Sequence, residues 1–275
     1  MALVVNDLTC GYGDDPVVER ASFALAPGRV LAVLGPNGVG KTTLFKCVLG
    51  FLPARGGSVE IDGAPLASLS RAELAQRIAY VPQMQTLPFA YTVEDAVLMG
   101  RAPYLRLLQQ PRPEDYAAVQ RALALMGIEH LAKKTCAEVS GGELQMAFIA
   151  RALAQEPRYL VMDEPTASLD FGNQMHVLER IIDLTGRGIG VLLTTHDPSQ
   201  AFTLKADVVL MQRGRRQRCG YYRDVLTEDA LRETYGVDVL VRSLPYGEKT
   251  VDCCMALPKD AVHHHVRPEG EAEGA

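Results

Sequence analysis

Gly35-Pro36-Asn37-Gly38-Val39-Gly40-Lys41-Thr42 follows the apolar run Val30-Leu31-Ala32-Val33-Leu34 and precedes Thr43-Leu44-Phe45-Lys46-Cys47-Val48-Leu49. The spacing is G-x-x-x-x-G-K-[ST], set between a strand and a helix as a phosphate-cradling loop requires. Its glycines let successive backbone N–H groups turn inward around a phosphate, and the helix that follows adds the positive end of its dipole. Lys41 is then in reach of β- and γ-phosphates, and the Thr42 hydroxyl of a Mg2+ ion. A nucleoside triphosphate is the expected ligand, gripped by Gly35, Pro36, Asn37, Gly38, Val39, Gly40, Lys41, Thr42 and Thr43.

Such a loop needs a carboxylate at the end of another buried strand. Tyr159-Leu160-Val161-Met162-Asp163-Glu164 supplies it, with Asp163 placed to hold Mg2+ and Glu164 beside it as the general base for the attacking water. Taken alone, the two acids would also fit a solvated strand edge or the cap of the next helix. Residues 30–34, 159–162 and 189–193 are nearly continuous apolar runs, the pattern of parallel strands covered on both faces. Residues 3–8, 17–25 and 58–61 lie between turn-like clusters and are expected to form a small antiparallel sheet. Residues 84–155 turn helical, with Pro113-Glu114-Asp115 opening a run that carries Val119, Leu123, Leu125 and Met126 at helix spacing. An α/β fold follows, with the helical stretch as an insertion.

Val139-Ser140-Gly141-Gly142-Glu143 leads into a helix whose Leu144, Phe148, Ile149, Ala152 and Leu153 line one side. Here the chain resembles the ATP-binding cassette (ABC) family, whose signature is usually written L-S-G-G-Q; Val139 and Glu143 depart from it. Ser140-x-x-Glu143 is also a capping box, and one feature serves both readings. The other family motifs appear in order over about residues 1 to 240. Tyr80-Val81-Pro82-Gln83 resembles the Q-loop, Ser168-Leu169-Asp170 the D-loop and Thr194-Thr195-His196-Asp197 the switch, while Tyr12 in Cys10-Gly11-Tyr12-Gly13 matches the adenine-stacking aromatic.

The resemblance implies a P-loop NTPase (RecA-like) core with an antiparallel β-subdomain and a helical ABC subdomain, one domain over residues 1–257. It implies that Gln83 senses Mg2+ and the γ-phosphate, that His196 hydrogen-bonds the γ-phosphate, and that Asp170 lies at a dimer interface. A complete ATP site would pair residues 35–43 of one copy with Ser140, Gly141, Gly142 and Glu143 of another, so a homodimer is expected. Glu143 brings negative charge towards that triphosphate. The segments from Tyr91 to Tyr104 and from Thr194 to Phe202 are similar to those of ATPases for iron-siderophore, haem and cobalamin uptake. Two separate transmembrane permease subunits and a substrate-binding protein are then implied, with the chain on the cytoplasmic face of the membrane. Related importers carry molybdate, tungstate or other metal ions. Met84, Leu87, Phe89, Tyr91, Met99 and Tyr104 are expected either to form a small core beside the helical insertion or to line a groove that receives a short permease helix.

Composition bounds these readings. Among 275 residues, 28 Lys+Arg against 33 Asp+Glu give a net charge of −5, no footprint for a nucleic-acid partner. Only 99 positions separate Lys41 from Ser140, leaving no room for the long coiled coils of DNA-maintenance relatives. Translation-associated relatives usually carry two cassettes, and a non-catalytic regulator would not need Lys41, Asp163, Glu164 and His196 together. No apolar run approaches the roughly 18 residues of a membrane span, and residues 1–7 lack signal-peptide character, so a cytoplasmic chain, at most bound to a membrane through a partner, is expected. The six cysteines have no metal-ligand spacing. Residues 238–257 are expected to form an accessory hairpin, and residues 258–275, with His263-His264-His265, a flexible tail.

Overall fold

Apolar residues at nearly alternate positions turn one face of the first two strands inward. Leu3–Cys10 (β1) buries Leu3, Val5, Leu8 and Cys10, and Val18–Leu25 (β2) buries Val18, Ala21, Phe23 and Leu25. They pair antiparallel, and Gly56–Ile61 (β4) and Ala64–Pro65 (β5) extend the sheet in the order β2-β1-β4-β5. The structure is a computed structural model and describes residues 1–12, 15–83, 90–106, 109–213 and 217–258.

Val30–Leu34 (β3) has no polar alternation, and all five residues are buried. It lies inside a second sheet with Ile78–Val81 (β6), Tyr159–Asp163 (β7), Gly190–Thr195 (β8), Asp207–Leu210 (β9) and Arg218–Tyr221 (β10), in the order β10-β9-β3-β8-β7-β6. Every pairing in it is parallel except β9 with β10. The two-residue period of β3 divides its side chains between two cores. Leu31 and Val33 join a core with the antiparallel sheet and Lys41–Val48 (α1), whereas Val30, Ala32 and Leu34 join the helical core.

After Arg71–Ala75 (α2) and β6, the chain becomes helical with Val93–Leu98 (α3), Pro113–Met126 (α4) and Gly141–Leu153 (α5). An internal ion cluster ties these together. The buried Arg101 guanidinium donates to Asp115 Oδ1 at 2.9 Å, Ala154 O at 2.8 Å and Glu156 Oε2 at 2.9 Å, linking the turn after α3 to α4 and to the end of α5. Paired and hydrogen-bonded in this way, the charge is tolerated out of water. Phe171–Gly186 (α6), Pro198–Leu204 (α7), Tyr222–Val225 (α8) and Glu228–Tyr235 (α9) follow, and Asp238–Tyr246 (β11) pairs with Lys249–Leu257 (β12) in a separate hairpin.

Several sequence expectations shift. The strand expected at 189–193 runs to Thr195, because Thr194 and Thr195 continue the ladder opposite Val33 and Leu34. β6, β9 and β10 had no expectation, since four residues each give too short a period to read. On α4 the inward stripe is Ala118, Val119, Ala122, Leu123 and Met126, with Leu125 only half-buried. The α5 helix buries Met146, Ala147 and Ala150 as well as Phe148, Ile149, Ala152 and Leu153 of the expected side, with Leu144 half-buried, so it is a core helix. Cys10, Cys47 and Cys136 are buried thiols, and Cys219 is exposed. Gly13, the groove residues Met84, Leu87 and Phe89, and the tail from 259 onward lie outside the described residues. No helix among the described residues is long and apolar enough to cross a membrane.

Candidate nucleotide site

The loop after β3 enters α1 through Gly40, whose φ of 112° lies in the left-handed region. A Cβ there would come within 2.9 Å of Val17 Cγ1 and Val18 Cγ2, so both conformation and space demand glycine. No side chain caps α1 and its first turn holds no acid, which leaves the amide end of the helix to an anion from outside.

Lys41 opens that helix at only 6% exposure. Its ammonium donates to Gly35 O at 2.8 Å and Pro36 O at 3.4 Å, and lies 3.7 Å from Glu164 Oε1. Burial pulls the Lys41 pKa below its ordinary value, opposed by the negative Glu164 and Asp163. The next residue reaches β7: Thr42 Oγ1 donates to Asp163 Oδ2 at 3.0 Å.

Asp163 ends β7, and the chain turns sharply at Glu164, whose φ of 48° is left-handed for a non-glycine residue. The turn delivers the Glu164 carboxylate to a cluster. Gln83, just after β6, donates from Nε2 to Glu164 Oε2 at 3.0 Å, and His196 Nδ1, just after β8, lies 3.4 Å from the same oxygen. Thr194, on β8, bonds both Asp163 and the Glu164 amide. A pocket of about 460 Å³ opens here, lined by Val17, Asn37, Gly38, Gly40, Lys41, Thr42, Thr43, Gln83, Glu164 and His196.

The ends of β3, β6, β7 and β8 thus bring together the loop, Gln83, Asp163, Glu164 and His196. Tyr12 stands outside the pocket lining at 53% exposure, its hydroxyl accepting from Lys46 Nζ at 3.2 Å. The turn at 139–143 contributes no lining residue among the described ones. There Ser140 Oγ accepts from Glu143 N at 3.3 Å and Glu143 Oε2 from Ser140 N at 2.7 Å, the capping box in full. These bonds from Ser140 hold the Glu143 carboxyl below its usual range and fold its charge onto its own helix terminus. Asp170 caps α6 through Asn173 N, at 2.8 Å.

Sequence reasoning missed two participants. A Cβ on Gly142 would meet Asn173 Oδ1 at 2.4 Å, so α5 and α6 start in direct contact, and Asn173 joins Gly142 to Asp170. Only the chemistry of Asp170 as a cap, which wants an amide three residues on, hinted at this. Thr194 was the other, quoted within a motif but given no task.

A second depression of about 460 Å³ lies on the helical stretch, lined by Tyr91, Asp95, Leu98, Met99, Ala102, Leu105 and Pro111. Tyr91 and Met99 were expected there. Tyr104 instead lies under Arg101, 3.9 Å from guanidinium carbon to ring centroid, and donates to Gln155 O at 2.8 Å.

A glycine-rich strand-to-helix loop with its lysine, threonine and strand-end acids defines a nucleotide hydrolase of the P-loop class. More narrowly, the chain belongs to the ABC transporter family, whose sequence profile matches residues 18–167, and it is an ATPase of that family. It is 40% identical over 86% of its length, and 89% of the relative's, to an uncharacterized ABC transporter ATP-binding protein of Haemophilus influenzae. It is 38% identical to a hemin import ATP-binding protein of Nocardia farcinica, over 83% of this chain and 79% of that one. Among solved structures, a chain of a transporter described as metal-chelate type, in an inward-facing conformation, superimposes with a TM-score of 0.84 at 33% identity, covering 94% of this chain and 98% of that one.

Proposed function

We propose that this chain is the ATP-hydrolysing subunit of an importer for a metal chelate of the haem, siderophore or cobalamin kind. The observation that carries the catalytic part is the convergence of Lys41, Thr42, Gln83, Glu164 and His196 on one pocket, with Asp163 bonded to Thr42 beside it. The import part rests on hemin import relatives at 38% identity over more than four-fifths of the chain.

The triphosphate lies along residues 35–43, with Tyr12 against the adenine. Its γ-phosphate replaces the Gly35 and Pro36 carbonyls as partner of the Lys41 ammonium, a neutral contact exchanged for an ionic one. The Thr42 hydroxyl and Asp163 carboxylate already face one another, and with the Gln83 amide oxygen they form the hard-oxygen set that Mg2+ takes. A Mg2+ ion held by these residues would supply positive charge against the phosphate oxygens. Glu164 takes the proton of the attacking water, and Gln83 and His196, both on its Oε2, orient that carboxylate. His196 also turns to the γ-phosphate.

Residues 140–143 line no part of this pocket among the described residues, and those of a second copy close it across a two-fold dimer. With its charge held in the capping box, Glu143 is compatible with that closure. The groove from Tyr91 to Pro111 receives a short helix of a membrane permease, which places the chain peripherally at the membrane. Affinity purification from detergent-solubilised membranes tests the assignment. It is expected to recover hydrophobic multi-span subunits with this chain; recovery of the chain alone, with no loss of uptake of any metal chelate on its deletion, contradicts it.

A further inference from the structure

The register of the parallel sheet sets Thr194 of β8 directly beside Asp163 of β7. Thr194 is fully buried, in a strand otherwise filled by apolar side chains up to that point. Its hydroxyl donates to Asp163 Oδ1 at 2.5 Å and accepts the Glu164 N–H at 2.8 Å. An ionised carboxylate only accepts and an amide N–H only donates, so one hydroxyl satisfies both with its direction fixed. The second oxygen of Asp163 takes the Thr42 hydroxyl. Glu164 meanwhile holds a left-handed backbone, which side-chain-bearing residues adopt only where the surroundings impose it. Two bonds impose it here: the Thr194 hydroxyl on its N–H, and Ala167 N donating to its carbonyl at 3.0 Å.

We propose that Thr194 is a positioning residue for hydrolysis: its hydroxyl locks the Asp163 carboxylate towards Thr42 and pins the turn that aims Glu164 into the pocket. The inference rests on the ATPase reading of that pocket. A valine at 194 fills nearly the same space but leaves a buried carboxylate oxygen without its donor and the Glu164 amide without its acceptor. The carboxylate is then free to rotate away from Thr42. Outer partners of a metal-ligating group typically carry about 10- to 100-fold of metal affinity or activity. Serine keeps the hydroxyl and loses only a methyl.

The test uses the full chain and its Thr194→Val and Thr194→Ser variants, with a fluorescent ATP analogue titrated in EDTA and then across Mg2+ concentrations, and phosphate release beside it. Thr194→Val is expected to bind nucleotide in EDTA as the parent does. Its Mg2+ half-saturation should rise and its kcat fall, each about 10- to 100-fold, and Thr194→Ser should restore both. Should Thr194→Val not fold, Thr194→Cys carries the test, because a thiol is a weak donor of similar size; its Mg2+ half-saturation is expected to rise. Parental Mg2+ dependence in Thr194→Val or in Thr194→Cys overturns the proposal. So does metal-free affinity that falls in step with the Mg2+-dependent affinity, the mark of general disruption, and so does failure of serine to rescue. If the parent chain itself binds no nucleotide at any Mg2+ concentration, the ATPase reading fails first and takes this proposal with it.

Discussion

Lys41 holds a charge where burial opposes it, kept there by two loop carbonyls and two nearby carboxylates. That arrangement has a use only if an anion arrives to replace the carbonyls. Lys41→Ala deletes the cation facing the transferred phosphoryl group, so turnover should fall about 100-fold or more, with the fold intact by circular dichroism. Phosphate release near the parental rate would remove the assignment. The residues that meet at the phosphate end of the site were legible in the sequence, because Lys41, Thr42, Asp163, Glu164 and His196 stand at fixed offsets from turns and strand ends. Thr194 and Asn173 were not. A threonine in a strand reads as an ordinary strand former, and an asparagine in a first helical turn as a surface residue. Their tasks arise from the β7–β8 register and from the approach of α6 to Gly142, neither of which has a local signature.

At the scale of elements, the long apolar strands and the hairpin at 238–257 were readable from pattern, whereas the four-residue strands became visible only through their ladders. The hairpin is fastened through Asp252, which accepts from Ser243, from Tyr222 Oη at 2.5 Å and from Arg223 Nε at 2.8 Å. The Ser243 and Tyr222 hydrogen bonds, followed by Arg223, outweigh burial and depress its pKa from 3.8 to about 2. A carboxylate depressed in the folded state stabilises fully above its unfolded value and loses that contribution as pH falls through the folded one. Hairpin attachment should therefore weaken between about pH 4 and pH 2. Asp252→Asn should cost on the order of 1 kcal/mol at pH 7, discounted because Arg223 is half exposed, and should flatten the acid limb. Thermal melts of both proteins from pH 7 down to pH 2 check it; parallel acid limbs would contradict it. On the helical stretch, Met99→Glu places a charge in the Tyr91–Pro111 groove. It should reduce permease co-purification severalfold while nucleotide affinity is unchanged. Normal co-purification would move the docking surface elsewhere.

For the whole molecule, the proposed shared site needs two copies, since the 140–143 turn contributes nothing to the pocket of its own chain among the described residues. The proposed dimer rests on the family to which the chain belongs and on the absence of the 140–143 turn from the pocket lining among the described residues. It also makes a demand that neither half-site meets alone. Glu164→Gln keeps Thr42 and Asp163 for Mg2+ and Lys41 for the phosphate, but its side chain can no longer take a proton from water. Hydrolysis then stalls with ATP as part of the interface. The decisive measurement is the mass of the Glu164→Gln variant by light scattering after gel filtration with Mg2+ and radiolabelled ATP, with an ADP run as control. The predicted result is a species of twice the chain mass carrying one unhydrolysed ATP per chain, with monomer in ADP. A monomer in both nucleotides, or a dimer whose bound label is ADP, would contradict the shared-site account.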